Sequence, residues 1–84
     1  MNINVGNMSF STNDEELREI FSEFGTIKSA KVATDSETNR SRGFGFVEMP
    51  DNNAGEAAIR SLNGAEVAGR KIRVNEIKPD EMPS

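Results

Sequence analysis

The stretch RGFGFVEM, Arg42 to Met49, decides how the rest of the chain is read. Successive side chains of a strand point to opposite faces, so Arg42, Phe44, Phe46 and Glu48 share one face and Gly43, Gly45, Val47 and Met49 the other. Val47 and Met49 mark the face turned toward a core. Both phenylalanines then lie on the face that begins in a guanidinium and ends in a carboxylate. Exposed rings beside a cation indicate a contact surface. The alternative, rings covered by a helix or loop, would suit an isolated F-x-F pair better. Gly43 and Gly45 favour the open platform, because glycine inside a strand weakens it and often marks close approach of another group.

Working outward, INVGNM (Ile3 to Met8) reads as a short strand with Ile3 and Val5 inward and Asn4 outward, closed by Gly6 and Asn7. Thr12 with Glu15 three residues on reads as a capping box, and Leu17, Ile20, Phe21 and Phe24 repeat with helical spacing up to a stop at Gly25. Ile27 to Ala33 is a second strand, Lys31 outward, followed by the polar loop TDSETNRS (Thr34 to Ser41), long enough to move. Beyond Pro50 a helix over Asn52 to Leu62, capped by Asp51, buries Gly55, Ala58, Ile59 and Leu62, and Asn63 with Gly64 end it. Lys71 to Glu76 is the last strand, with Ile72 and Val74 inward and Lys71, Arg73 and Asn75 outward. From Ile77 to Ser84 a flexible tail is expected.

This order, βαββαβ, predicts an α+β, ferredoxin-like sandwich: a four-stranded antiparallel sheet, first and third strands central, with two helices on one face. Asn4, Lys31, Arg42, Phe44, Phe46, Lys71, Arg73 and Asn75 project onto the face left open. Arg40, in the loop, is a further candidate contact.

With 84 residues there is room for one domain, expected over residues 1–76. The chain has no cysteine and no histidine, which removes disulfides, thiolate metal sites and the commonest acid-base side chain. No cofactor and no metal are expected. No apolar run approaches a membrane span and no leader precedes the first strand, so a soluble, unexported, cytoplasmic chain with no membrane partner is expected. The net charge of −4 argues against phosphate binding only as an average. Asp14, Glu15, Glu16, Glu19 and Glu23 share the first helix, whereas Lys28, Lys31, Arg40, Arg42, Lys71 and Arg73 lie on strands and one loop. A basic sheet face can coexist with acidic helices.

Over about residues 2 to 76 the chain resembles the RNA recognition motif family. RGFGFVEM fits the family's octapeptide, with Met49 in place of the last aromatic, and INVGNM fits its companion hexapeptide. LNG (Leu62 to Gly64) and GRKIRVN (Gly69 to Asn75) also match in place. In length and start the chain is most similar to small single-domain RNA-binding proteins of bacteria and to glycine-rich plant proteins, without a glycine-rich tail.

The resemblance implies non-catalytic binding of single-stranded RNA, with Phe44 and Phe46 against bases or sugars and Arg42 on a phosphate, and a part in post-transcriptional regulation. Single-stranded DNA would be a weaker partner and the chain is expected to be a monomer. The hexapeptide departs from the pattern at Asn4, where the family usually has an aromatic. A missing ring costs roughly ten- to a hundredfold in affinity, so micromolar binding of modest sequence specificity is expected. Two other classes stand beside this one: a protein-interaction module on the same fold, and an enzyme of similar topology, for which neither a phosphate-binding loop nor a convergent nucleophile, base and acid is in evidence.

Overall fold

The structure, a computed structural model, describes residues 1–78. Its elements run β1 (Asn2–Gly6), α1 (Asp14–Ser22), β2 (Ser29–Thr34), β3 (Ser41–Glu48), α2 (Asn52–Leu62), β4 (Glu66–Val67), β5 (Arg70–Lys71) and β6 (Arg73–Ile77). β1, β2, β3 and β6 form one antiparallel sheet in the order β2-β3-β1-β6, so the first and third strands are central as the sequence predicts. Alternation along β3 holds: Gly43, Gly45 and Val47 are buried, while Arg42 is exposed and Phe44, Phe46 and Glu48 are half-buried. Ile3 and Val5 of β1, Val32 of β2, Val47 of β3 and Val74 of β6 form the floor of the core, against which Leu17 and Phe21 of α1 and Ala58 of α2 pack. Burial of side chains such as Phe21 and Leu17 contributes about 1.5–3 kcal/mol each, which is what holds an acidic helix to the sheet.

The first helix starts one residue later than the sequence suggests. Asn13, not Thr12, is the N-cap: its side-chain oxygen accepts from the Glu16 backbone N–H at 2.8 Å, and the Glu16 carboxylate accepts from the Asn13 N–H at 3.3 Å. The run TNDEE offers this box in two frames, Thr12 with Glu15 and Asn13 with Glu16. The later frame lets the Asp14 carboxylate accept from the Val32 N–H at 2.7 Å and tie the first turn to β2, while Thr12 is buried in the preceding turn, its N–H bonded to the Ser9 carbonyl. Asn13→Ala is therefore expected to cost about 1 kcal/mol, a fall of roughly 4–8 °C in Tm for a domain of this size, which thermal unfolding will read. An unchanged Tm would return the cap to Thr12. At the other end α1 stops at Ser22; Phe24 lies beyond it in a turn but still packs on the core. α2 begins at its expected cap, where the Asp51 carboxylate accepts from the N–H groups of Asn53 and Ala54.

Two further corrections concern the last strand. Glu66 pairs with Lys71 and Val67 with Arg70 in a small separate hairpin whose central residues, Ala68 and Gly69, both have positive φ, as a two-residue turn of type I′ requires. Lys71 thus belongs to this hairpin and not to the open face of the four-stranded sheet, where the sequence reading puts it. Buried Ile72 links the two: its N–H donates to the Ala65 carbonyl and its own carbonyl accepts from Gly64. At the far end β6 continues through Ile77, paired with Asn2, so the tail does not begin there. Lys78 follows the strand as an exposed residue, and the rest of the expected tail, residues 79–84, lies outside the described residues.

Candidate nucleic-acid interface

Register brings the candidate residues into rows across the sheet. Lys31 of β2 pairs with Phe46 of β3, Phe46 with Asn4 of β1, and Asn4 with Asn75 of β6, so these four side chains cross the face in one line. Arg73 pairs with Gly6 one step further along, toward the end of the sheet where β3 carries Phe44 and Arg42. The Phe44 and Phe46 rings meet edge to face, centroids 5.9 Å apart and planes at 85°. This is the preferred geometry for a pair of ring quadrupoles, and it fixes both rings without stacking them on each other. The Arg42 guanidinium lies 5.4 Å from the Phe44 centroid, a cation–π contact that orients it above the ring. α1 and α2 pack on the opposite face, where Val47 and Met49 keep 1% and 0% of their surface.

The face is polarised along β3. At its far end Glu48 pairs with Lys28 at 3.4 Å, an exposed contact that screens the carboxylate but adds little stability. Among the described residues it is the only ion pair within 4.0 Å, so Lys31, Arg42 and Arg73 have no described carboxylate partner at that distance. Arg40 lies off the sheet in the β2–β3 connection. That connection is a hydrogen-bonded turn: the Asp35 N–H donates to the Arg40 carbonyl, the Asn39 N–H donates to the Asp35 carbonyl, and the Asp35 carboxylate accepts from the Glu37 and Thr38 N–H groups. Those two backbone donors, helped by the charge of Arg42, hold the Asp35 carboxyl below its usual range. A lowered carboxylate stabilises the fold above its ordinary pKa and loses that contribution as pH falls through the lowered value, so the contribution is fully present at neutral pH.

Gly43 and Gly45 serve the helix side. A Cβ on Gly45 would lie 2.6 Å from the Lys31 carbonyl oxygen and 3.1 Å from Leu17 Cδ2, and one on Gly43, at φ +81°, would lie 2.9 Å from Phe10 Cε1. The close approach they permit is thus to β2, α1 and the β1–α1 loop, not to a ligand on the aromatic face. The structure also shows an aromatic that the sequence reading passed over. Phe10 is 67% exposed in the β1–α1 loop, with the Arg70 guanidinium 5.9 Å from its centroid. An aromatic outside every periodic pattern, in the polar run SFST, was the available signal.

Half-exposed rings, flanking cations and two amides in one row supply what unpaired nucleotides need: π-faces, phosphate contacts and hydrogen-bonding groups for base edges. Among the described residues no group of acidic side chains could hold a metal, and no helix is long and apolar enough to cross a membrane.

Comparison with known proteins agrees with this geometry. The family model of the RNA recognition motif matches residues 3–73. RbpE of Nostoc sp. (strain PCC 7120), named as a candidate RNA-binding protein, is 48% identical over 81 residues, covering 96% of this chain and 82% of that protein. Among solved structures, the RNA-binding protein PG1 superposes with a TM-score of 0.92 at 46% identity, covering 100% of this chain and 99% of that one. A Sxl-lethal protein/RNA complex superposes with a TM-score of 0.88 at 28% identity, covering 93% of this chain and 47% of that one. With most of the sheet and both helices inside the matched span, and RGFGFVEM on a central strand, the chain belongs to the RNA recognition motif family.

Proposed function

We propose that this chain binds single-stranded RNA without catalysis, laying bases or sugars against Phe44 and Phe46 and a phosphate on Arg42. The observation that carries the reading is the row Lys31, Phe46, Asn4, Asn75 beside the Phe44–Arg42 pair, on the sheet face that the helices leave free. Lys31, at the β2 end of this row, and Arg73, one step further along on β6, serve as further phosphate contacts, with Asn4 and Asn75 as hydrogen-bonding groups for base edges. Relatives named for RNA binding support the same reading. Each stacking ring contributes roughly 1–3 kcal/mol and tolerates any base, which gives modest sequence preference over about three or four nucleotides.

Titration of short single-stranded RNA into the protein tests this. Micromolar binding is expected, with a slope of log K against log salt near −2 if about three phosphates are neutralised. No detectable binding, together with recovery of a protein partner after nuclease treatment, would instead favour a protein-interaction role. Asn4 is where the platform is weakest. It pairs directly with Phe46, so Asn4→Tyr places a third ring beside the existing two, and affinity is expected to rise by about tenfold or more. Unchanged affinity would mean that β1 takes no part in binding.

A further inference from the structure

We infer that Asp14 and Asn63 are edge guards, two side chains placed so that neither outer strand of the sheet pairs with a strand of a second copy of this chain. The inference is independent of what the aromatic face binds. In the order β2-β3-β1-β6 the outer strands are β2 and β6, and the outward N–H and C=O groups of such strands form a template on which another chain can add a strand. Val32 of β2 opposes Gly45 of β3 but sends its N–H the other way, to the Asp14 carboxylate at 2.7 Å. Val74 of β6 opposes Val5 of β1 and sends its N–H outward to the Asn63 side-chain oxygen at 3.0 Å.

Backbone groups alternate sides along a strand, so an outer strand offers only every second residue to a newcomer. With six residues in β2 and five in β6, one occupied N–H interrupts the row. On β2 the outward side is left with Ala30 before the guard, and after it the register breaks between Val32 and Thr34. On β6 it is left with Glu76, because Ile72 is already held by the Ala65 carbonyl and the Gly64 N–H. Each guard belongs to the helix that precedes its strand. Asp14 opens α1, where a carboxylate suits the positive end of the helix, and Asn63 caps the end of α2, where a neutral amide sets no negative charge against the last carbonyls. The two halves of the fold thus close their edges alike, each with the acceptor its helix end tolerates. Asn63 is also the middle residue of LNG, a motif that takes no part in the aromatic face.

Sedimentation equilibrium from micromolar to millimolar protein tests the guards. The parent should keep the mass of one chain throughout. Asp14→Ala with Asn63→Ala should show a mean mass that doubles or more as concentration rises, reversibly and with the circular dichroism of a folded chain. Asp14→Asn keeps an acceptor for the Val32 N–H and should stay monomeric. Ile3→Val loosens the buried centre of the sheet and leaves both edges capped, so it too should stay monomeric. A folded double variant with the mass of one chain at every concentration overturns the inference, and so does equal association by Ile3→Val. Amide exchange gives a reading that needs no folded double variant. In the parent, the Val32 and Val74 N–H groups should exchange about fivefold or more slowly than those of Ala30 and Glu76 on the same outward sides. Equal rates would mean that the two side chains do not hold the edges.

Discussion

Changing Phe44 and Phe46 together to alanine is expected to weaken single-stranded RNA binding by upwards of about thirtyfold while the chain stays folded. The lower bound is two rings at about 1 kcal/mol each, and coupling between neighbours 5.9 Å apart sets how far the loss exceeds it. Arg42 loses its partner too, because a guanidinium held over Phe44 has nothing to rest on once the ring is gone. The cost to stability is smaller. The two rings contribute an edge-to-face contact of about 0.5–1.5 kcal/mol, whereas Val47 and Met49, on the opposite side of the same stretch, keep the core filled. Anisotropy titration measures the first effect and thermal unfolding the second. A folded double variant that binds like the parent contradicts the platform.

Gly45→Val is expected to act in the opposite way, on the fold before the ligand. The added side chain would enter the space between β3, β2 and α1, where even a Cβ sits 2.6 Å from the Lys31 carbonyl oxygen, 3.2 Å from the Val32 Cα and 3.1 Å from Leu17 Cδ2. Two of those three atoms are backbone of a paired strand and cannot turn aside as a side-chain tip can. Overpacking of this kind costs typically 1–3 kcal/mol, and the rigid neighbours put the expected loss at or above about 3. Against a total stability of about 5–15 kcal/mol this lowers Tm by roughly 10 °C or more. Gly6→Ala supplies the control, since a Cβ there meets nothing within 4 Å. Equal melting of Gly45→Val and the parent would show that β2 and α1 can give way.

The contrast between these variants separates what the sequence made legible from what it did not. Alternation along RGFGFVEM assigns its two faces correctly because a period of two leaves a single choice once Val47 and Met49 are taken as inward. The stripe of Leu17, Ile20 and Phe21 and the cap at Asp51 likewise place both helices. The two glycines could be seen to demand close approach but not from which side, since parity says which way a Cβ would point and not what lies there. Thr12 and Asn13 offered the same cap in adjacent frames, and only the tertiary bond from the Val32 N–H to Asp14 separates them. The β4–β5 hairpin escaped because its strands of two residues are too short to show a period, and Ala68 is not a residue that announces a positive φ. Phe10 and Arg70 lie far apart in the chain and on no common period, so their pairing exists only once β1 and β6 lie side by side.

The most direct test is a chemical-shift titration of the isotopically labelled protein with mixed-sequence single-stranded RNA. The account predicts that the perturbed amides gather on Lys31, Asn4, Asn75 and Arg42 to Phe46, with the outward faces of α1 and α2 silent. Perturbations that gather instead on the acidic side of α1 around Glu15, Glu16 and Glu19, or none at saturating RNA, would contradict it.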